Sequence, residues 1–493
     1  MLCLPLAVAL VVAAMPKRLA APLSVGGSLV TLALSIALVV GFDSSVPGLQ
    51  HTVDEAWIPD LGVRFQLGID GISLFLVVMT ALLWAASFAW SAWRTPDRAK
   101  NYFLMLGVGE FAVLGAFLAQ DLLLFVLFFD LMLVPFFFLI GSYGTGDRVR
   151  ATIKMMVYTL VGSLLMLVAA IATAILTADA TGELSFAMAD LRANVLPEGS
   201  QDWIFCFFAA AFLVKMPAFP LHGWMPDAYR SAPLPVLALL SGVLPKVAAY
   251  GFLRVALPIF PDATVQLQEL VLVIGLASVL YGSVMAFTQT NVRLIAGYSS
   301  IAQLGFITLG VFSLSADGAD GAVLQMVNHG LVVAPIFLIV ALLAERFGTE
   351  DLRRMGGGAV GAPVLAALFL IVTLATLAMP GSANFIGEFY ILNGLFDEKI
   401  AFAVIAMAGV AMAAFYALRL YQRTMHNRLP AGAVSREMTV RDGIVLVPLV
   451  LVIVAAALYP GLILERGEAS IQDKVGAVSA AREAASEDLA GSP

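Results

Sequence analysis

The chain has 493 residues, 61% hydrophobic and 12% charged, with mean hydropathy +0.96 and a formal net charge of −7. A soluble domain is about half apolar and a quarter charged, so this composition excludes a soluble core and indicates a polytopic membrane protein. It offers no basic tract for nucleic acid, and Cys3 and Cys206 lack any ligand spacing for zinc or an iron–sulfur cluster; both read as buried membrane thiols.

A spanning helix needs about 20 mostly apolar residues. Such runs fall at 2–15 (a short one), 22–41, 71–93, 101–119, 121–142, 152–176, 203–219, 233–256, 268–287, 292–313, 321–344, 361–396, 400–424 and 442–463, fourteen in all. The first run is followed, not preceded, by Lys17 and Arg18. That is the wrong polarity for a cleaved signal, so it reads as helix 1 with its N-terminus outside. The run at 361–396 is too long for one straight helix and carries MPGSAN in its middle, which predicts a break.

With both termini outside, eighteen of the 27 Lys and Arg residues fall on inside segments and seven on outside ones, while Lys215 and Lys246 lie within the membrane. This bias follows the positive-inside rule loop after loop. The outside loops are acidic instead: TVDEAWIPD, ADATGELSFAMAD, ADGAD and FDEK. Within the outer loop 42–69, the stretch WIPDLGVRFQLGID predicts a β-hairpin about Asp60-Leu61-Gly62. The polar, Ala-rich tail 464–493 reads as either a surface helix or a disordered segment.

Met-Pro recurs inside two membrane runs, in VKMPAFP at 214–220 and LAMPGSA at 377–383. Broken helices at matching places in two halves of a chain point to an ion or substrate site between inverted repeats. The expected architecture is therefore all-α and polytopic, with broken helices 7 and 12. Helices 1–3 occupy 1–93. Helices 4–8 (101–256) and 9–13 (265–425) form two five-helix units, and helix 14 (442–463) follows.

Five charges lie inside the membrane runs: Glu110, Asp130, Lys215, Lys246 and Glu388. A charge at the bilayer centre costs roughly 2.5–3.5 kcal/mol on insertion scales and persists where it faces protein or water. An inert ion pair or a snorkelling group accounts for one such residue; five, three of them beside helix breaks, point to transport. Pro217, Pro220 and Pro380 lack an N–H, so the carbonyls of Leu213, Met216 and Thr376 lose their helical donors. Freed carbonyls at membrane depth need water, side chains or neighbouring protein. A lysine there is held between two influences: lost water disfavours its charge and a nearby acid favours it. Movement of the acid then releases the proton. His222, just after the helix 7 break, and His329, near the start of helix 11, add groups that titrate near neutral pH.

FLVKMPAFPLHGWMPDAYRSAP, SGVLPKVAAYGFLR, RLIAGYSSIAQLGF, LQMVNHGL, ERFGTEDLRRMGG and MPGSANFIGEF resemble the antiporter-like membrane subunits of proton-pumping NADH:quinone oxidoreductase, respiratory complex I, over nearly the whole chain. Glu388 in GEF, where most of the family has lysine, and the ERFGTEDL segment resemble the M-type branch in particular. The resemblance implies a proton-translocating subunit of a bacterial inner membrane with no redox centre of its own. FMN, iron–sulfur clusters and quinone would sit in partner subunits, and the neighbours would be L- and N-type subunits and small subunits. It also implies roles. Asp130 would pair with Lys215; Lys246 and His329 would lie on a central hydrated axis; Glu388 would be the terminal proton site; Glu110 would match the helix 4 acid. Three features depart from the pattern: Asp130 stands for the usual glutamate, Gln303 for a histidine, and Pro245 before Lys246 predicts an extra kink. A multisubunit cation/proton antiporter or membrane-bound hydrogenase is the alternative, and the glutamate at 388 argues against the antiporter.

Overall fold

The computed structural model describes residues 1–46, 48–94 and 96–490. Its membrane segments follow the expected order. They are α1 (Cys3–Ala14), α2 (Lys17–Gly41), α3 (Gly71–Trp93), α4 (Ala99–Leu118), α5 (Leu122–Tyr143), α6 (Arg148–Thr181) and α7 (Glu198–Lys215). After the α7 break come α8 (Leu234–Ile259), α9 (Gln268–Thr288), α10 (Val292–Val311) and α11 (Ala316–Phe347). The two halves of α12 are Pro363–Thr376 and Ala383–Glu398, followed by α13 (Ile400–Met425) and α14 (Val440–Leu458). Among the described residues, eleven of these helices are long and apolar enough to cross a membrane on their own. The others are the short α1, the charge-bearing α7 and the divided α12.

Burial separates the helices into layers. α8, α10 and α11 are buried on every side, whereas α2, α13 and α14 bury only a stripe and present Leu29, Val30, Phe415 and Leu451 outward. An all-round apolar helix is a core element, so the first three helices form the centre on which a polar pathway can be built. Small residues let α9 and α10 approach closely: a Cβ on Gly305 would stand 2.7 Å from the carbonyl oxygen of Gly275. Close backbone contact of this kind is a usual basis of helix association in a bilayer.

The expected hairpin forms from β1 (Gln50–Ile58) and β2 (Val63–Ile69), antiparallel, with the turn at Pro59–Leu61. The tail is helical: α15 (Gly461–Ala490) packs along α3, α11 and the end of α8. Helix 14 stops earlier than the hydropathy run suggests. Tyr459 precedes Pro460 and leaves helical geometry (φ −129°), which ends α14 before α15 begins.

Ion pairs respect the expected division of loops into two faces. On one face Arg192 meets Asp473, Lys399 meets Glu269 and Arg482 meets Glu398. On the other Arg94 meets Glu345 and Asp442, Lys154 meets Asp227 and Arg293 meets Glu350.

Two expectations need correction. Cys3 and Cys206 are exposed on the outer surface of the bundle rather than buried, because each lies on the outward stripe of an edge helix. Arg254, one of the seven cations expected on outside segments, does not lie in a loop. It is buried in a π-turn of α8 (Phe252–Ala256) and pairs with Asp70 at 3.0 Å, both side chains less than 5% exposed.

Candidate functional site: a buried polar axis

The α7 break is stabilised by side chains as well as backbone. Pro217 cannot donate to the Leu213 carbonyl, and the Ala218 N–H takes that acceptor at 3.0 Å. The Val214 carbonyl, left without its usual donor, accepts the Trp224 indole N–H at 2.9 Å, and the Phe219 N–H donates to Ser278 Oγ. A short 3-10 turn (Leu221–Trp224) and a helical turn (Met225–Ser231) continue the segment. These substitute partners meet the requirement that backbone groups at membrane depth be satisfied.

Lys215 is the last residue of α7 and is 4% exposed. Its Nζ donates to the Phe129 carbonyl at 3.0 Å and sits 4.2 Å from the Phe129 ring centroid. The resemblance implied a pair with Asp130. Among the described residues no direct ion pair joins the two, and Asp130 Oδ1 is buried without a protein partner. The ammonium instead holds the carbonyl of the residue before the acid, so both groups sit at one turn of α5 without touching. That turn is irregular at Met132, three residues before Pro135.

Pro245 kinks α8, as expected. Val243 leaves helical geometry (φ −120°), and the Ser241 carbonyl, four residues before the proline, has no N–H to accept. Lys246 Nζ fills that position, donating to Ser241 O at 2.8 Å. The same Nζ lies 2.8 Å from His329 Nδ1 on α11. The proline thus frees the acceptor that fixes the lysine against its histidine partner. At this separation one proton can be held by the lysine and accepted by the ring, or transferred to it.

A second hydrogen-bonded segment consists of amides and a carboxylate. Gln325 lies one turn before His329 on α11, and its Nε2 donates to Gln303 Oε1 of α10 at 2.6 Å. Gln303 Nε2 then donates to Glu388 Oε1 in the second half of α12 at 2.7 Å. All are nearly inaccessible to solvent. Glu388 Oε2, both side-chain amide atoms of Asn384 and the Tyr416 hydroxyl are buried without a protein partner, a concentration of unsatisfied polar atoms around the α12 break. Buried polar groups are ordinarily satisfied by protein or ordered water, so a region rich in exceptions is suited to water.

Two expected residues stand off this chain. Glu110, on α4, is buried with Oε1 unpartnered. His222 is held in an aromatic cage: its Nε2 lies 3.1 Å from the Tyr281 hydroxyl, with Phe219 and Tyr298 alongside. It is not bonded to Lys215 or Lys246. On the other side of Lys215, Phe125, Phe129, Phe208, Phe212, Phe252 and Phe312 make ring-to-ring contacts in sequence, with Phe212 meeting four of the others. This apolar block touches Lys215 through Phe129.

Sequence reasoning missed Gln325, Asn384 and Tyr416, since an amide or a phenol in an apolar run carries no charge to flag it. The period was available: Gln325 and His329 are four residues apart and share a helix face.

A multi-pass helical protein with a buried lysine–histidine pair and, one helical turn away, an amide chain ending on a buried carboxylate has the form of an ion-conducting membrane subunit. The family described as NADH:quinone oxidoreductase/Mrp antiporter matches residues 119–414, and the chain belongs to it. "NADH-quinone oxidoreductase subunit M" of Rhodobacter capsulatus is 36% identical over 476 residues, covering 93% of this chain and 92% of that one. The protein of the same name from Escherichia coli (strain K12) is 36% identical over 458 residues, covering 90% and 89%. Among solved structures, "Respiratory complex I from Thermus thermophilus with bound NADH" contains a chain matching with TM-score 0.87 and 31% identity over 97% of this chain and 100% of that one. A chain in "Structure of Mrp complex from Dietzia sp. DQ12-45-1b" shares the fold, with TM-score 0.84 at 21% identity.

Proposed function

We propose that this chain is the M-type proton-translocating subunit of a bacterial respiratory NADH:quinone oxidoreductase. The observation that carries the reading is a pair of hydrogen-bonded segments, Lys246–His329 and Gln325–Gln303–Glu388, which share one face of α11 and lie between a buried base and a buried acid across four helices. In this reading Lys215 and Asp130 form the first site and respond to each other through charge rather than contact. Lys246 and His329 share the central proton. Glu388 is the terminal site, where unpartnered polar atoms favour water. The aromatic block beside Lys215 directs release toward Glu388 instead of straight across. Glu110 and His222 stand at the margins, as an acid on α4 and a group near Lys154 on the cation-bearing face.

The units 101–256 and 265–425 act as two inverted repeats. The breaks in α7 and α12, each followed by a second helical piece, support this assignment. The face bearing the hairpin and α15 is taken as the outside, which places both termini there in an inner membrane. Energy comes from redox chemistry at FMN, iron–sulfur clusters and quinone in partner subunits, and the neighbours are L- and N-type antiporter-like subunits together with small subunits.

The test is NADH-driven proton uptake by inverted membrane vesicles carrying Lys246→Met or Glu388→Gln in the assembled complex. Uptake should fall at least severalfold while electron transfer from NADH to an artificial acceptor persists. Unchanged uptake in both variants would overturn the reading. Copurification with flavin and iron–sulfur subunits separates it from a stand-alone cation/proton antiporter.

A further inference from the structure

Resting on that reading, we infer that Gln325 is the positioning residue of the terminal proton site: it fixes the Gln303 amide so that its NH2 group, not its carbonyl, faces Glu388. A glutamine side chain has a donor end and an acceptor end that occupy nearly the same volume. Gln303 therefore has two orientations of similar shape and opposite polarity. The NH2 end donates to Glu388 Oε1 at 2.7 Å, which leaves Oε1 of Gln303 pointing away into a fully buried space. That oxygen needs a donor, and Gln325 Nε2 supplies it at 2.6 Å. With the Gln303 amide alone reversed, two acceptors would meet at Glu388 and two donors at Gln325. Gln325 Oε1 accepts no hydrogen bond from the described residues and is held only by its packing against Gly387, so Gln325 and Glu388 together set the direction of the relay, with every N–H pointing toward the carboxylate.

The site is shaped to hold Gln325 in place. Its Oε1 lies against Gly387, the residue before Glu388, where a Cβ would stand 2.4 Å from Oε1 and 3.1 Å from the Gln325 Cα. Only a residue without a Cβ leaves room there, so the glycine of the GEF triplet makes the notch that Gln325 occupies. Neither Gln325 nor Gly387 titrates, and neither carries the proton. Their effect acts through Gln303.

The experiment uses the assembled complex in vesicles. Gln325→Met keeps the length of the side chain and removes its amide. Loss of the donor leaves Gln303 Oε1 unsatisfied, and NADH-driven proton uptake should fall roughly tenfold, as for a lost hydrogen bond serving a charged group. Gly387→Ala reaches the same contact from the other side and should reproduce the defect, so the idea stays testable if one variant assembles poorly. Two readouts separate positioning from packing. The Glu388 carboxyl band in isotope-edited difference infrared spectra should move in Gln325→Met, and in the same direction in Gln303→Leu. Adding Gln325→Met to Gln303→Leu should cost nothing further, because the amide it orients is gone. An unmoved band, or defects that multiply in the double variant, overturns the inference. If Lys246→Met and Glu388→Gln both leave uptake unchanged, the functional reading of the site fails, which is a separate outcome.

Discussion

The buried pair Arg254–Asp70 gives the sharpest stability prediction. Asp70 has two tasks. Its Oδ1 accepts the Ser73 N–H at 3.0 Å, capping α3, and its Oδ2 faces Arg254 Nη1 at 3.0 Å. Arg254 Nε is spent on the Tyr250 hydroxyl, and Nη2 is buried with no partner. Asp70 is therefore the carboxylate that compensates this guanidinium. Asp70→Asn keeps an oxygen for the cap but removes the charge. Stranding a buried cation in this way costs about 3–5 kcal/mol. Asp70→Ala removes the cap as well, adding about 1 kcal/mol. Pairing Asp70→Asn with Arg254→Met removes both charges and should recover most of the loss, as buried ion pairs replaced by apolar groups often do. The assay is the fraction of complex that survives a heat step and runs intact on size exclusion. The expected order is wild type and double variant above Asp70→Asn, with Asp70→Ala lowest. If the double variant is as unstable as Asp70→Asn, the guanidinium is not stranded and the reasoning is wrong.

Gly305→Ala drives a Cβ into the Gly275 carbonyl and the Val279 backbone, so α9 and α10 must separate; overpacking should cost about 1–3 kcal/mol, read as a lower survival temperature in the same heat assay. Phe212→Ala opens the aromatic block beside Lys215 and should cost about 3–5 kcal/mol. It should also speed the decay of an imposed pH gradient in vesicles without NADH, and an unchanged decay would deny the block an insulating role. Hydrogen bonds from Arg192 hold the Asp473 carboxyl below the usual carboxylate range. A depressed carboxylate stabilises the folded state above its unfolded value of about 4, and that contribution is lost as pH falls through the folded value. Protection of α15 from protease should then weaken on acidification, and Arg192→Gln should reduce that dependence, with Lys474 on the same carboxylate retaining the rest.

The membrane segments and both breaks were legible because they rest on two strong signals, apolar run length and proline. The end of α14 was less so: the hydropathy run passes through Pro460, and a local backbone rule overrides it. Charges were legible as candidates but not as partners. Lys215 and Asp130 were found, yet the choice of the Phe129 carbonyl over the carboxylate depends on where one turn of α5 aims its groups. Arg254 was counted with the outside cations because a single arginine near a helix end reads as reaching the membrane surface. Its burial depends on Asp70, 184 positions earlier in the chain, and nothing local encodes that pairing.

Pro245 shows how a rule broken locally can serve the site. A proline inside a buried helix costs a hydrogen bond and bends the chain. Here the bend frees the Ser241 carbonyl, and Lys246, the next residue, satisfies it. The remaining reach of the Lys246 Nζ is then fixed on His329. Removing the proline restores the Lys246-independent ladder and leaves the lysine with one anchor fewer. Pro245→Ala should therefore stabilise α8 while loosening the Lys246–His329 contact. Heat survival should rise or hold and NADH-driven proton uptake should fall. A variant that gains stability and keeps full uptake would show that the kink is incidental to the central proton site.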